Sequence, residues 1–175
     1  MLARRAGSSV TASKYQTPRS QTQRVPLLFM NPLKFIAVAK EFANLSKDPS
    51  TKVAAIIVAD DDTILSMGYN GFPRGVLDTE ERYKDRPTKL SLIAHAETNA
   101  IAQAARHGVR LLDSTIILTA LYPCSNCAKQ IIQAGIKKVI APKNHGISSN
   151  IEWLRERKIS ETMFKEAGVI VEIYE

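Results

Sequence analysis

Cysteine and histidine are scarce in this chain, with two of the first and three of the second among 175 residues. So few cysteines exclude a disulfide-stapled scaffold, and a reducing, cytoplasmic setting is the natural expectation. No apolar run approaches the roughly 20 residues of a membrane span, so the expectation is no membrane. No secretory signal and no internal repeat are visible. Acid is missing from the first 40 residues, which hold Arg4, Arg5, Lys14, Arg19, Arg24, Lys34 and Lys40. Those seven cations account for the whole net charge of +7 and leave 17 basic against 17 acidic side chains in the rest. The balance gives no support for a nucleic-acid-binding surface on the folded part.

What is present suits one globular domain: 45% of residues are apolar, enough for a substantial core. Residues 1–29 are rich in Ser, Thr, Gln and Arg, and the reading is a disordered basic extension ahead of a domain spanning 31–175. The same composition fits an organelle transit peptide, and translation from Met30 is a third reading.

The few metal-binding side chains that exist are concentrated. His95-Ala96-Glu97 opens one helical pattern, and Pro123-Cys124-Ser125-Asn126-Cys127 opens the next. One imidazole and two thiolates make a zinc ligand set, and three protein ligands leave a fourth tetrahedral position for water, the arrangement of a catalytic ion. His107 lies twelve positions beyond His95 on the same helix, about 18 Å away, and cannot share the metal. His145, in a loop beside Gly146, is not excluded by distance. The C-x-x-C pair after Pro123 puts both sulfurs in the first helical turn, where the positive helix end favours thiolate. Glu97 reads as the acid that takes a proton from metal-activated water. Positions two apart do not share a helical face, so its convergence with His95 requires a pocket lying across the helix end.

His-x-Glu with Pro-Cys-x-x-Cys is the signature of zinc nucleobase deaminases. His95-Ala-Glu97-Thr-Asn-Ala-Ile101 and Leu121-Tyr-Pro123-Cys-Ser-Asn-Cys127 resemble the zinc motifs of the cytidine and deoxycytidylate deaminase superfamily. Ser46-Lys-Asp-Pro-Ser-Thr-Lys52 and Gly68-Tyr-Asn-Gly-Phe-Pro-Arg-Gly75 are similar to the deoxycytidylate branch. The resemblance runs from about Asn31 to Ala141, and more weakly beyond. It implies a three-layer α/β/α cytidine deaminase-like fold and hydrolytic loss of the amine at C4 of dCMP, giving dUMP and ammonia. In that reaction Glu97 serves as base and then acid, beside one zinc held by His95, Cys124 and Cys127. It also implies substrate contacts at Ser46, Lys47, Asn70, Arg74, Ala96 and Tyr122. Deoxycytidine and thymidine triphosphate effectors, with Mg2+, and a homo-oligomer, a hexamer first, belong to the same expectation.

On the residues alone, Lys47 and Arg74 serve equally as phosphate ligands or as solvated cations, and Tyr122 as a substrate platform or a core aromatic. The sequence departs from many relatives in having Ala54-Ala55-Ile56 where they carry Gly-Ala-Cys, and it has too few Cys and His residues for a second zinc. The rival readings are a tRNA adenosine deaminase, another cytosine or nucleoside deaminase, and a non-catalytic zinc-containing nucleotide-binding module.

The remaining pattern predicts the elements. Asn31-Pro32 starts a helix with an apolar stripe at Phe35, Val38, Ala39, Phe42 and Leu45. Residues 53–59 form a buried strand, Asp60-Asp61-Asp62 a turn, and Ile64 to Tyr69 its hairpin partner. Val76 to Leu90 reads as a long polar loop at a pocket rim or subunit contact. Helices at 94–106 and 124–133 end at Gly108 and Gly135, with strands at 115–119 and 138–141. One or two helices then follow, with apolar positions at Ile151, Leu154, Ile159, Met163 and Phe164, and Val169 to Tyr174 is a last strand. Trp153 reads as a stacking residue or as a core or subunit contact. The sum is a mixed sheet of about five strands.

Overall fold

The structure, a computed structural model, describes residues 31–143 and 151–175. The reading of 1–29 as an extension and the question of His145 lie outside the described residues. Five strands form one mixed sheet in the order β2-β1-β3-β4-β5: β1 Ala54–Val58, β2 Ile64–Tyr69, β3 Thr115–Leu118, β4 Lys138–Pro142 and β5 Ile170–Tyr174. β1 pairs antiparallel with β2 and β3, while β3, β4 and β5 run parallel. β1, β3 and the middle of β4 are buried on both faces, which is why they read as unbroken apolar runs.

The alternation of side chains divides the core in two. Ala54, Ile56, Val58, Ile117 and Ile140 face α1 (Pro32–Ala43). Ala55, Ile57, Ile116, Leu118, Val139 and Ala141 face α4 (Ala96–Arg106) and α5 (Ser125–Gln133). α6 (Ile151–Glu166) lies against α5 and β5. The layers are therefore helix, sheet and helices, as the sequence pattern implied.

Two amphipathic stripes differ from expectation. α1 buries Ile36, Ala39 and Ala43 with Phe35 and Phe42 beside them, whereas Val38 and Leu45 are exposed. The buried face is rotated toward Ile36, which fits over β1 and β3. α6 buries Ser160 and Phe164 and leaves Ile151, Leu154 and Ile159 exposed, because it lies at the side of the sheet and only a narrow strip of it is covered. The segment from Val76 to Leu90 is not a plain loop. It carries α2 (Glu80–Lys84) and begins α3 (Arg86–Leu92), and Tyr83 stacks on Phe72 with ring centres 4.4 Å apart.

Gly68 sets how closely β2 approaches α4. A Cβ there would lie 2.3 Å from the Ala100 amide nitrogen and 2.4 Å from the Ala96 carbonyl oxygen, so no other residue fits. Ser66, two residues earlier on the same face, donates to the Ala100 carbonyl at 2.7 Å. These contacts hold the start of α4 at the carboxyl end of β2. α5 follows β3, which runs in the same direction as β2 on the other side of β1, so both helix starts arise at one edge of the sheet.

Candidate metal centre and catalytic cleft

His95 and Cys124 occupy the same local position, the N-cap of a helix, with extended backbone at φ −71, ψ 158 and φ −70, ψ 169. A two-way backbone bridge between Gly71 and Ala94, at 3.1 and 2.9 Å, holds the chain extended just before His95. Asn99 reinforces this from within α4 by donating to the Tyr69 carbonyl at 2.8 Å. The approach to Cys124 runs through Leu121, which is left-handed at φ 53. Placing His95 outside the helix removes the face problem raised by a two-residue spacing. Its side chain leaves an extended residue, and Glu97 leaves the first turn.

The three ligand atoms lie within 4.8 Å of one another. His95 Nδ1 is 3.6 Å from Cys124 Sγ and 3.3 Å from Cys127 Sγ. Tetrahedral zinc with its usual bond lengths separates nitrogen and sulfur donors by about 3.6 Å, so these side chains fit the ion. Exposure rises from Cys127, buried, through Cys124, half-buried, to His95, exposed, so the side of the cluster left open by the described residues faces the cleft. Among the described residues no fourth Cys, His, Asp or Glu joins the group. His107 caps the far end of α4, as its spacing required.

The electrostatics are those of a shared site. The Cys127 thiol hydrogen-bonds to Cys124 and pulls its pKa down to about 4; burial opposes, and the His95 ring and the Cys127 amide assist. Cys127 itself is pushed up, first by that same bond and then by burial. The Cys124 sulfur raises His95 above the usual imidazole range, against desolvation and with help from Glu97. Burial raises Glu97, opposed by its own amide, by His95 and by Cys127. Thr98 places its hydroxyl 4.0 Å from Cys127 Sγ. Glu97 is therefore a buried carboxyl beside the metal ligands and on the cleft, placed where a proton-transfer group acts.

A cleft of about 190 Å³ opens over His95, Ala96, Glu97 and Cys124. Asn70, Ala96 and Tyr122, named from sequence, line it. The Asn70 side chain is already engaged: its oxygen accepts from the Val53 amide at 2.9 Å, and its nitrogen donates to Thr51 O at 2.9 Å and Asp48 Oδ2 at 3.3 Å. It braces the cleft wall with these bonds. Ser46 is buried behind that wall, its hydroxyl donating to Asn70 O at 2.7 Å and accepting from the Asp48 amide. Lys47 points to solvent and pairs with Asp78 at 2.9 Å, outside the cleft. Arg74 donates to Gln103 and lines a separate cleft of about 590 Å³ between β2 and α4. Tyr122 lies between Phe164 and Arg157, whose guanidinium is 4.8 Å from its ring centre, and its buried hydroxyl has no hydrogen-bond partner among the described residues. Burial, with Glu161 adding to it and Arg157 opposing, pushes that phenol up to about 12.

Sequence reasoning missed the cations that do reach the cleft. Lys89 is buried, donating to Asp48 at 2.8 Å and Ser50 Oγ at 3.2 Å, and Arg86, one helical turn earlier on α3, stands at the mouth. Their one available signal was i, i+3 spacing, concealed by the reading of that segment as loop. Asp48 also accepts from the Ser50 and Thr51 amides. Burial disfavours its charge, yet Lys89 and those amides together hold it below the usual carboxylate range. Trp153 closes the cleft from α6.

Residues 30–143 match the family described as the cytidine and deoxycytidylate deaminase zinc-binding region. Among curated proteins, the mouse deoxycytidylate deaminase is 40% identical over 145 residues, covering 79% of this chain and 76% of that one. A deaminase of Aliivibrio fischeri is 38% identical over 138 residues, covering 79% and 89%. Among solved structures, the dCMP deaminase of cyanophage S-TIM5, in complex with dCMP and dUMP, superposes with a TM-score of 0.64 at 27% identity, covering 81% of this chain and 95% of that one. The signature residues, the ligand geometry and the extent of the match agree: this chain belongs to the cytidine and deoxycytidylate deaminase zinc-binding family.

Proposed function

We propose that the chain catalyses hydrolytic deamination of dCMP to dUMP and ammonia, the product serving thymidylate synthesis. The observation that carries this is Glu97, a carboxyl buried in the cleft beside a His/Cys/Cys cluster that has no fourth protein ligand among the described residues. His95, Cys124 and Cys127 would hold the zinc, which when bound would supply the Lewis acidity that makes water nucleophilic at neutral pH. Glu97 takes the proton shed by the attacking water and delivers it to ring N3 as oxygen adds at C4. It then carries the second proton to the exocyclic nitrogen, which leaves as ammonia. The amides at the N-terminus of α4, Ala96 among them, and the wall braced by Asn70 orient the ring.

For the 5′-phosphate, the two cations at the cleft support α3 in place of Lys47 and Arg74: Arg86 at the mouth, with Lys89 behind it. The cleft that holds Arg74 and Arg106 is where we place the expected deoxynucleoside triphosphate effector and its Mg2+. A homo-oligomer, hexamer first, in a cytoplasmic setting completes the reading. No helix among the described residues is long and apolar enough to cross a membrane.

The test is ammonia release from dCMP, CMP, deoxycytidine and a tRNA anticodon stem, assayed side by side with the zinc-loaded chain and with Glu97→Gln. Turnover is expected on dCMP above the others, and Glu97→Gln should keep zinc while losing at least about 10³-fold in kcat, the scale of a lost acid-base group. Ammonia released equally fast by the variant, or from none of the four compounds, overturns it.

A further inference from the structure

Helix α5 has an unusual beginning. The side chain of an N-cap residue normally accepts a hydrogen bond from the first turn, but here that side chain is Cys124, whose sulfur faces His95 and Cys127. The first amide of the helix is instead accepted by another element. Ser125 N donates at 3.0 Å to Glu156 Oε2, a carboxylate 31 residues away on α6. The Ser125 side chain and this amide together hold Glu156 below the usual glutamate range. The same stretch of α6 puts Trp153 on the cleft and Arg157 over Tyr122, two residues before Cys124. The approach to Cys124 carries Leu121 in the left-handed region, a conformation that persists only where its surroundings hold it.

We infer that Glu156 is a positioning residue of the metal site: by clasping the Ser125 amide from α6, it fixes the turn that aims Cys124 and Cys127 at His95. The inference rests on the metal-site reading above. A carboxylate at the positive end of α5 also stabilises that helix start, and acting through a neighbour of the ligands is what outer partners of metal sites do.

Zinc affinity, read by competition with a chromophoric chelator, tests it without reference to turnover. Glu156→Ala is expected to weaken zinc about 10–100-fold, while the thermal melting of the metal-free protein stays close to wild type. Glu156→Gln keeps an acceptor oxygen and should recover most of the affinity. Glu166→Ala, an acid elsewhere on α6, should change nothing. Ser125→Pro removes the donor at a position where proline is well tolerated, and it should reproduce the loss; combined with Glu156→Ala it should add little more. Wild-type zinc affinity in both Glu156→Ala and Ser125→Pro overturns the proposal, as does a fall in metal-free stability large enough to account for the whole loss. If the wild-type chain binds no zinc, or His95→Ala binds it unchanged, the metal-site reading itself fails, a result distinct from either.

Discussion

At the scale of single residues, two residues of ordinary type decide how the framework of the site is held. Gly68 is required by a backbone approach that leaves no room for a methyl group. Gly68→Ala should force β2 from α4 and cost about 2 kcal/mol or more, seen as a lowered urea midpoint. Because α4 begins at the metal cluster, the same variant should bind zinc more weakly. Asp48 is the second. Its folded pKa is depressed, so its contribution is present above the unfolded value of about 3.9 and is lost as pH falls through the folded value. Asp48 should therefore contribute a loss of stability as pH falls below about 4. Asp48→Asn should flatten that limb while lowering stability at neutral pH, since Lys89 is left buried without its counter-charge. Denaturation midpoints followed from pH 7 down to 3 check both halves.

At the scale of elements, the site is an arrangement of helix starts. α4 and α5 each give up their N-cap side chain to the ligand set, so α5 takes its cap from α6. α1, with no such duty, is capped conventionally, Asn31 Oδ1 accepting from the Leu33 amide at 3.1 Å. α3 is where the substrate's charge should be felt. Arg86→Ala is expected to lower kcat/KM for dCMP about 10–100-fold, the worth of a charge-assisted hydrogen bond. Deoxycytidine, which lacks the phosphate, should react as before. Equal losses on both substrates would show that Arg86 supports the fold or the chemistry and does not read the phosphate.

At the scale of the whole molecule, the two zinc helices come from strands on either side of β1, and their starts meet at the cluster. A metal bound there ties 95 to 124 and 127, joining two crossovers of one sheet. Zinc should therefore raise the melting temperature in a concentration-dependent way, by about 2.7 kcal/mol of stability at one hundred times its Kd. Removing it with a chelator should reverse this. A melting temperature indifferent to zinc would mean that the cluster is not a folded-state metal site.

The ligand set was legible in the sequence because eligible residues are so few and their spacing is local: two cysteines three apart, and one histidine two before a glutamate. The strands and the two zinc helices were legible for a similar reason, since burial on both faces leaves apolar runs and glycines such as Gly108 and Gly135 end the helices in left-handed turns. What surrounds the ligands was decided by the tertiary structure. Lys89 meets Asp48 across 41 residues, Ser125 meets Glu156 across 31, and Ser46 lies behind Asn70. Each pair joins common residue types at no fixed spacing, so nothing local distinguishes Lys89 from Lys47, which points to solvent. The sequence by itself determined which atoms can hold the metal, because coordination chemistry admits few residues. Only the packing of α3 and α6 on the sheet decided which of many similar charges reach the cleft.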